Sequence, residues 1–203
     1  MTTTTTTPSD CVHKARTAEI TYKVAWQKND VQINEDAINI WIEMGAIKAK
    51  SQGVPRAKML CVVAYDGKKL VAVSTIGVYP QEQTMVKGSH FRCVVRPAYR
   101  KRNIATELAL RCLHTTEEWS KENPSFKVMN FTITIETQAL FPKCRKPTWH
   151  GLVNFIGYTE QGLPVYVYWY KHAYIGDEQD PDYSFYPSGA PGASPVGMLQ
   201  NGM

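Results

Sequence analysis

The chain has 203 residues, 43% of them hydrophobic and 20% charged, and a formal net charge of +5. Length and balance fit one domain with a real core, and with no apolar run of about 18 residues no membrane span is expected. All 23 basic residues but only 14 of the 18 acids lie within 1–174, so that stretch carries a net +9 and suits a polyanionic ligand: nucleic acid, a phosphorylated cofactor or an acidic surface.

The opening MTTTTTTPSD has neither a basic start nor an apolar stretch, so it does not read as a secretory signal. Residues 1–16 read as a disordered Thr-rich tail. Residues 175–203, acidic and then rich in Pro, Gly and Ser, read as a flexible tail. The folded domain is then 17–174. Five scattered cysteines, Cys11, Cys61, Cys93, Cys112 and Cys144, with no CxxC spacing, predict reduced thiols, a cytoplasmic setting and no metal site.

Taken in chain order, AEITYKVAW alternates and predicts a strand. Asn34 precedes Glu35 and Asp36 and reads as a helix cap. Ile38, Trp41 and Ile42 follow at helical spacing, Lys48 and Lys50 stand near the predicted end, and SQGVP reads as the break. KMLCVVAY and KLVAVSTIGVY, joined by Asp66-Gly67, predict a hairpin. HFRCVV is a further strand, stopped by Pro97. From Ile104 the period changes. Ile104, Leu108, Cys112 and Trp119 form one stripe, with Ala105, Ala109 and Leu113 beside it, and the helix ends near Asn123-Pro124. KVMNFTITIE predicts a strand, TWHGLVNFI a short helix, and PVYVYWYKH a final strand. The fold class expected is α/β (α+β), with a mixed, mostly antiparallel central sheet and helices on both faces. The expected order is β-α-β-β-β-α-β-α-β-β.

The stretch between the HFRCVV strand and the long helix carries the chemistry. A helix start leaves backbone N–H groups without intrahelical acceptors and carries partial positive charge. Arg100, Lys101 and Arg102 add three basic side chains, so the turn favours phosphate or pyrophosphate.

Arg100-Lys101-Arg102-Asn103-Ile104-Ala105, preceded by Val95-Arg96-Pro97, resembles the Arg/Gln-x-x-Gly-x-Gly/Ala motif of the GNAT acyltransferase superfamily. The element order over about residues 17–172 resembles that family too, and Phe155-Ile156-Gly157-Tyr158 resembles its LGF motif. The resemblance implies a cosubstrate, acetyl-CoA or a related acyl-CoA. It implies that backbone N–H groups of Arg100, Lys101, Arg102, Asn103, Ile104 and Ala105 hold the pyrophosphate. Cys93, Val94 and Val95 would pair with the pantetheine arm, and the thioester would sit where this strand and FTITIE splay. A primary amine of a small molecule or protein would attack directly, with a general base taking its proton.

Two positions depart from the family pattern. Asn103 stands where the family has glycine, and Asn is among the better substitutes in the left-handed region. Val153 stands where the family often has a tyrosine acid. The catalytic candidates are therefore Glu136 at the end of FTITIE, His90 at the start of the cofactor strand, and Tyr158. Tyr168 and Tyr170 read as packing residues. Lys143, Arg145 and Lys146 read as a basic rim for an acidic acceptor or the CoA 3′-phosphate. The leading expectation is an N-acetyltransferase, monomer or homodimer, acting away from membranes. The alternatives are a non-catalytic acyl-CoA-binding module and, less favoured, a basic nucleic-acid-binding protein. Against the last, the basic residues do not interleave with aromatics.

Overall fold

The computed structural model describes residues 19–137, 140–141, 146–149 and 151–174. Both predicted tails, together with Cys11, Lys143, Cys144 and Arg145, lie outside the described residues. The element order is β1 (Ile20–Val24), α1 (Val31–Glu43), α2 (Lys50–Ala57), β2 (Leu60–Asp66), β3 (Lys69–Pro80) and β4 (Lys87–Val95). It continues α3 (Ile104–Glu122), β5 (Val128–Thr134), β6 (Thr148–Trp149), β7 (Val153–Tyr158) and β8 (Pro164–Trp169). Hydrogen bonding orders the strands β1-β2-β3-β4-β5-β8-β7-β6. The β4/β5 pair is parallel, whereas β1/β2, β2/β3, β5/β8, β6/β7 and β7/β8 are antiparallel. The mixed, mostly antiparallel sheet expected from the sequence is therefore present. Among the described residues no helix is long and apolar enough to cross a membrane.

The chain divides into two compact units, Met1–Thr75 with Cys93–Ala109, and Ile76–Arg92 with Leu110–Met203. In the first, α1 begins earlier than its acidic pair suggests. Its cap is Asp30, whose carboxylate accepts from the Ile33 N–H at 3.0 Å. Asn34 instead lies inside the helix and donates to Asn29 Oδ1 at 3.1 Å. The buried stripe is Ala37, Ile40 and Trp41, and Ile42 faces outward.

The predicted break at SQGVP is wrong. These residues form most of α2, which Lys50 opens rather than ending α1. Gln52 supplies the start signal, its side-chain oxygen accepting from the Lys48 N–H at 2.8 Å. Gly53 is there for contact rather than freedom. A Cβ on it would lie 2.7 Å from Ile38 Cγ1, so α2 can approach α1 this closely only without a side chain. Pro55 removes one helical N–H, a loss the eight-residue helix absorbs by packing Gly53 and Ala57 into the core. That core gathers Ile40, Trp41, Leu60, Val63, Leu70 and Val73, with Val94 of β4 packed against it.

In the second unit, the predicted helix over TWHGLVNFI is a hairpin, β6 and β7. Gly151, at φ +64°, makes the turn that a helix could not contain, and Leu152 N–H donates to Trp149 O at 3.1 Å. Gly157, at φ +141°, sits where the β7/β8 register shifts, so the FIGY stretch carries a bulge only glycine tolerates. The element order thus departs from the expected one by an added α2 and by β6 in place of the expected short helix. Tyr170 is a packing residue, buried, with its hydroxyl donating to Thr116 Oγ1 at 2.7 Å.

Candidate active site

In the first unit, β4 ends at Val95 and the chain turns into α3 through residues 96–103. Arg96 fixes the entry. Its backbone N–H donates to Val71 O at 3.0 Å, its Nε to Leu70 O at 2.8 Å, and its guanidinium pairs with Glu43. Pro97–Tyr99 makes one tight helical turn, anchored by the Tyr99 hydroxyl donating to Asp66 Oδ2 at 2.8 Å. Arg100 Nε donates to Val95 O at 3.3 Å, and the Arg102 guanidinium lies 5.2 Å from the Tyr99 ring centre. Two of the three basic side chains therefore brace the turn itself.

Lys101 sits at φ +65° and Asn103 at φ +61°, both left-handed. Asn103 thus takes the conformation that glycine would supply. Its carbonyl accepts from the Glu107 N–H at 3.1 Å, which starts α3. The N–H groups of Ile104, Ala105 and Thr106 are then first-turn donors with no acceptor four residues back within the helix. Ile104 is buried and pins this turn, while Lys101, Arg102, Asn103 and Ala105 are exposed. Cys93, Val94 and Val95 are half-buried along the end of β4.

In the second unit, the β4/β5 ladder runs from Lys87↔Val128 to Phe91↔Ile133, and β4 continues to Val95. At the end of this ladder the structure assembles a four-residue cluster. His90 lies flat on Tyr79, ring centres 3.7 Å apart at 7°, and its Nε2 is 3.1 Å from Tyr79 O. A carbonyl only accepts, so Nε2 carries the proton. Burial pushes the His90 pKa down to about 4, with Arg92 acting the same way against the Tyr79 hydrogen bond. Burial pushes the Tyr79 phenol up. Arg92 Nε meets Glu136 Oε1 at 3.0 Å. Two of the predicted catalytic residues, His90 and Glu136, are therefore neighbours of Arg92 or Tyr79, which sequence reading missed. Period-2 alternation was the available signal, since it puts His90 and Arg92 on one face of β4.

The third candidate, Tyr158, stands elsewhere in the unit. Its ring meets Phe155 edge-on at 5.0 Å, and its carbonyl accepts from Gln83 Nε2 at 2.9 Å. It lines an open cleft of about 390 Å³ with Phe141, Lys146, Pro147, Phe155 and Pro164. Lys146 is the described member of the predicted basic rim. Val153 is buried and offers no acid, as its side chain dictates.

His90 gives a pH signature. The unfolded ring, near 6.5, binds a proton that the folded ring resists until about 4. Stability is therefore level above pH 6.5 from this source and is lost as pH falls from 6.5 towards 4. Urea melts of wild type and His90→Gln across that window check it. The variant, whose amide can still donate to Tyr79 O, is expected to show a flatter decline, and equal slopes would place the acid sensitivity in other groups.

The strand order, the parallel β4/β5 pair beside five antiparallel pairs, and the left-handed turn leading into α3 match the GNAT-like fold expected from the sequence. A solved bacterial toxin structure overlaps 76% of this chain and 93% of its own, with a TM-score of 0.52 and 11% identity, a likeness of fold alone. The ribosomal-protein-S18-alanine N-acetyltransferase from Escherichia coli overlaps 79% of this chain and 98% of its own at a TM-score of 0.46 and 11% identity. A GNAT-family acetyltransferase from Streptococcus pneumoniae overlaps 74% and 99% at 0.42 and 12%. No protein-family model and no curated protein matches the sequence.

Proposed function

We propose that this chain is an N-acyltransferase that moves an acetyl group from acetyl-CoA to a primary amine. The observation that carries the reading is the backbone of the β4–α3 turn. Two left-handed residues, Lys101 and Asn103, lead directly into the first N–H groups of a 19-residue helix. That arrangement suits a pyrophosphate, held by backbone N–H groups from Arg100 to Ala105, with the helix dipole adding to the attraction. Cys93, Val94 and Val95 would meet the pantetheine arm, beyond the last β4/β5 register pair.

In the transfer itself the amine nitrogen attacks the thioester carbonyl. The N–C bond forms, the C–S bond breaks, and the thiolate leaves. Glu136 takes the proton lost by the ammonium, directly or through water. The exposed Tyr158 phenol is the remaining candidate donor to the thiolate. The alternative reading, an acyl-CoA-binding module without catalysis, shares the first half of this account. Thiol release from acetyl-CoA that requires both the protein and an amine separates the two.

Calorimetric titration with CoA tests the turn. Asn103→Gly is expected to bind as wild type does, because glycine reaches any conformation Asn adopts. Asn103→Val, which resists positive φ, should weaken binding. Ile104→Pro deletes one N–H and drives Asn103 towards extended geometry, so affinity should fall about ten- to a hundredfold. Ile104 is also buried, so thermal melts must show that variant folded; Asn103→Val, at an exposed position, makes the same test without loss of core. Unchanged affinity in both would end the pyrophosphate reading.

A further inference from the structure

The cluster at the end of the β4/β5 ladder contains more than a base. Arg92 and Glu136 form an ion pair whose side chains are 63% and 53% exposed. Such a pair opens easily, because water already solvates both partners. The other two members of the cluster bring no charge near neutrality: His90 is a neutral Nε2–H donor, and the Tyr79 phenol holds its proton. The cluster is thus one cation and one anion, side by side and reachable from solvent.

On the reading proposed above, an acceptor's ammonium must come to Glu136 before it gives up its proton. It then displaces Arg92 and stands beside it as a like charge. A ligand with nothing but an ammonium leaves the guanidinium unmatched and is repelled by it. A ligand that carries a carboxylate next to the ammonium meets both. Its ammonium takes Glu136, and its carboxylate takes the guanidinium, whose planar fork suits two carboxylate oxygens. In α- and β-amino acids the two charged groups are one or two carbons apart, so both contacts can be made by replacing one protein ion pair with two ligand ion pairs.

We propose that Arg92 is a specificity-determining residue and that the acceptor is an amino acid, recognised as a zwitterion by the opened Arg92–Glu136 pair. The inference rests on the acyltransferase reading for the identity of the reaction, but it concerns binding, so it is tested by binding. A panel of L-amino acids and their carboxamides is titrated calorimetrically into the full chain, and CoA is titrated in parallel. At least one amino acid should bind about ten- to a hundredfold more tightly than its carboxamide, the amount expected when a charge-assisted contact is lost. Arg92→Ala should abolish the preference: the amino acid loses its carboxylate contact, the carboxamide, freed from the guanidinium's repulsion, binds no more weakly than to wild type, and CoA affinity stays unchanged. Arg92→Lys should retain part of the preference, since it keeps the charge without the fork. The proposal is overturned if no amino acid outbinds its carboxamide on wild type, or if Arg92→Ala weakens both alike. Failure of the CoA titration alone would remove the acyl-donor reading and leave the amino-acid result standing.

Discussion

Glu136→Gln is expected to lower acetyl transfer by about 10²- to 10⁴-fold while CoA affinity stays at the wild-type value. The substitution keeps the shape of the side chain and an oxygen for Arg92 Nε, now 3.0 Å away, and removes the carboxylate that accepts the proton. A purely structural role predicts something different. An ion pair with both side chains more than half exposed contributes about 0–1 kcal/mol, so its loss alters the melt slightly and turnover hardly at all. His90 is the competitor. It is neutral at pH 7, but its Nε2 carries the proton donated to Tyr79 O and its ring lies flat on Tyr79, whereas the Glu136 carboxylate is more than half exposed and within an ammonium's reach. His90→Gln should therefore cost turnover much less than Glu136→Gln. Initial rates of thiol release, taken with saturating acetyl-CoA and amine, make the comparison. Turnover within a few-fold of wild type in Glu136→Gln would take that residue out of the mechanism and return the base role to His90 or to water.

The turn and the cluster were not equally legible in the sequence. The turn was legible because its requirement is local. A strand, a Pro, three basic residues, an Asn and an apolar stripe at helical period lie in one short stretch, and the structure puts Asn103 in the left-handed region that the glycine-like position demands. The cluster of His90, Tyr79, Arg92 and Glu136 was only half legible, because its members come from separate strands. Glu136 and His90 were nameable as residues of the right type at strand ends. Arg92 and Tyr79 became meaningful once the parallel β4/β5 register and the neighbouring strand had put them beside those two.

The fold shows the same division. The Asp66-Gly67 hairpin and the stripe from Ile104 follow from turn chemistry and periodicity within one segment. SQGVP misled because Gly and Pro are ordinarily punctuation, whereas Gly53 answers to the Ile38 side chain of another helix. TWHGLVNFI misled because its apolar spacing suits either period, and Gly151 decides between them only through its positive φ.

Gly88 is the clearest case of a residue whose reason lies across the sheet, and Gly88→Ala should be the most damaging small substitution in the second unit. Gly88 is buried on β4 and paired with Asn130 of the parallel neighbour β5. An alanine Cβ would lie 2.1 Å from Asn130 Oδ1 and 3.3 Å from Thr132 Oγ1. The Asn130 amide cannot simply swing away. It is fully buried, its Oδ1 accepts from Thr132 Oγ1 at 3.1 Å, and its Nδ2 donates to Thr84 Oγ1 at 3.3 Å. Moving it strands buried polar groups, which costs about 1–3 kcal/mol, and the overpacking adds about 1–3 kcal/mol more. A loss of roughly 2–6 kcal/mol is expected, a large part of the stability of a domain of this size. Asn130→Ala alone should also destabilise, by leaving Thr132 and Thr84 without their partner. Combined with Gly88→Ala, however, it removes the atom that the new methyl strikes. The double variant should therefore be more stable than the sum of the single losses predicts, with a coupling of about 1–3 kcal/mol in a double-mutant cycle. Urea denaturation of the four proteins measures it. Additive losses would mean that the methyl is accommodated by a shift of β4 itself, and that Gly88 is not held by Asn130.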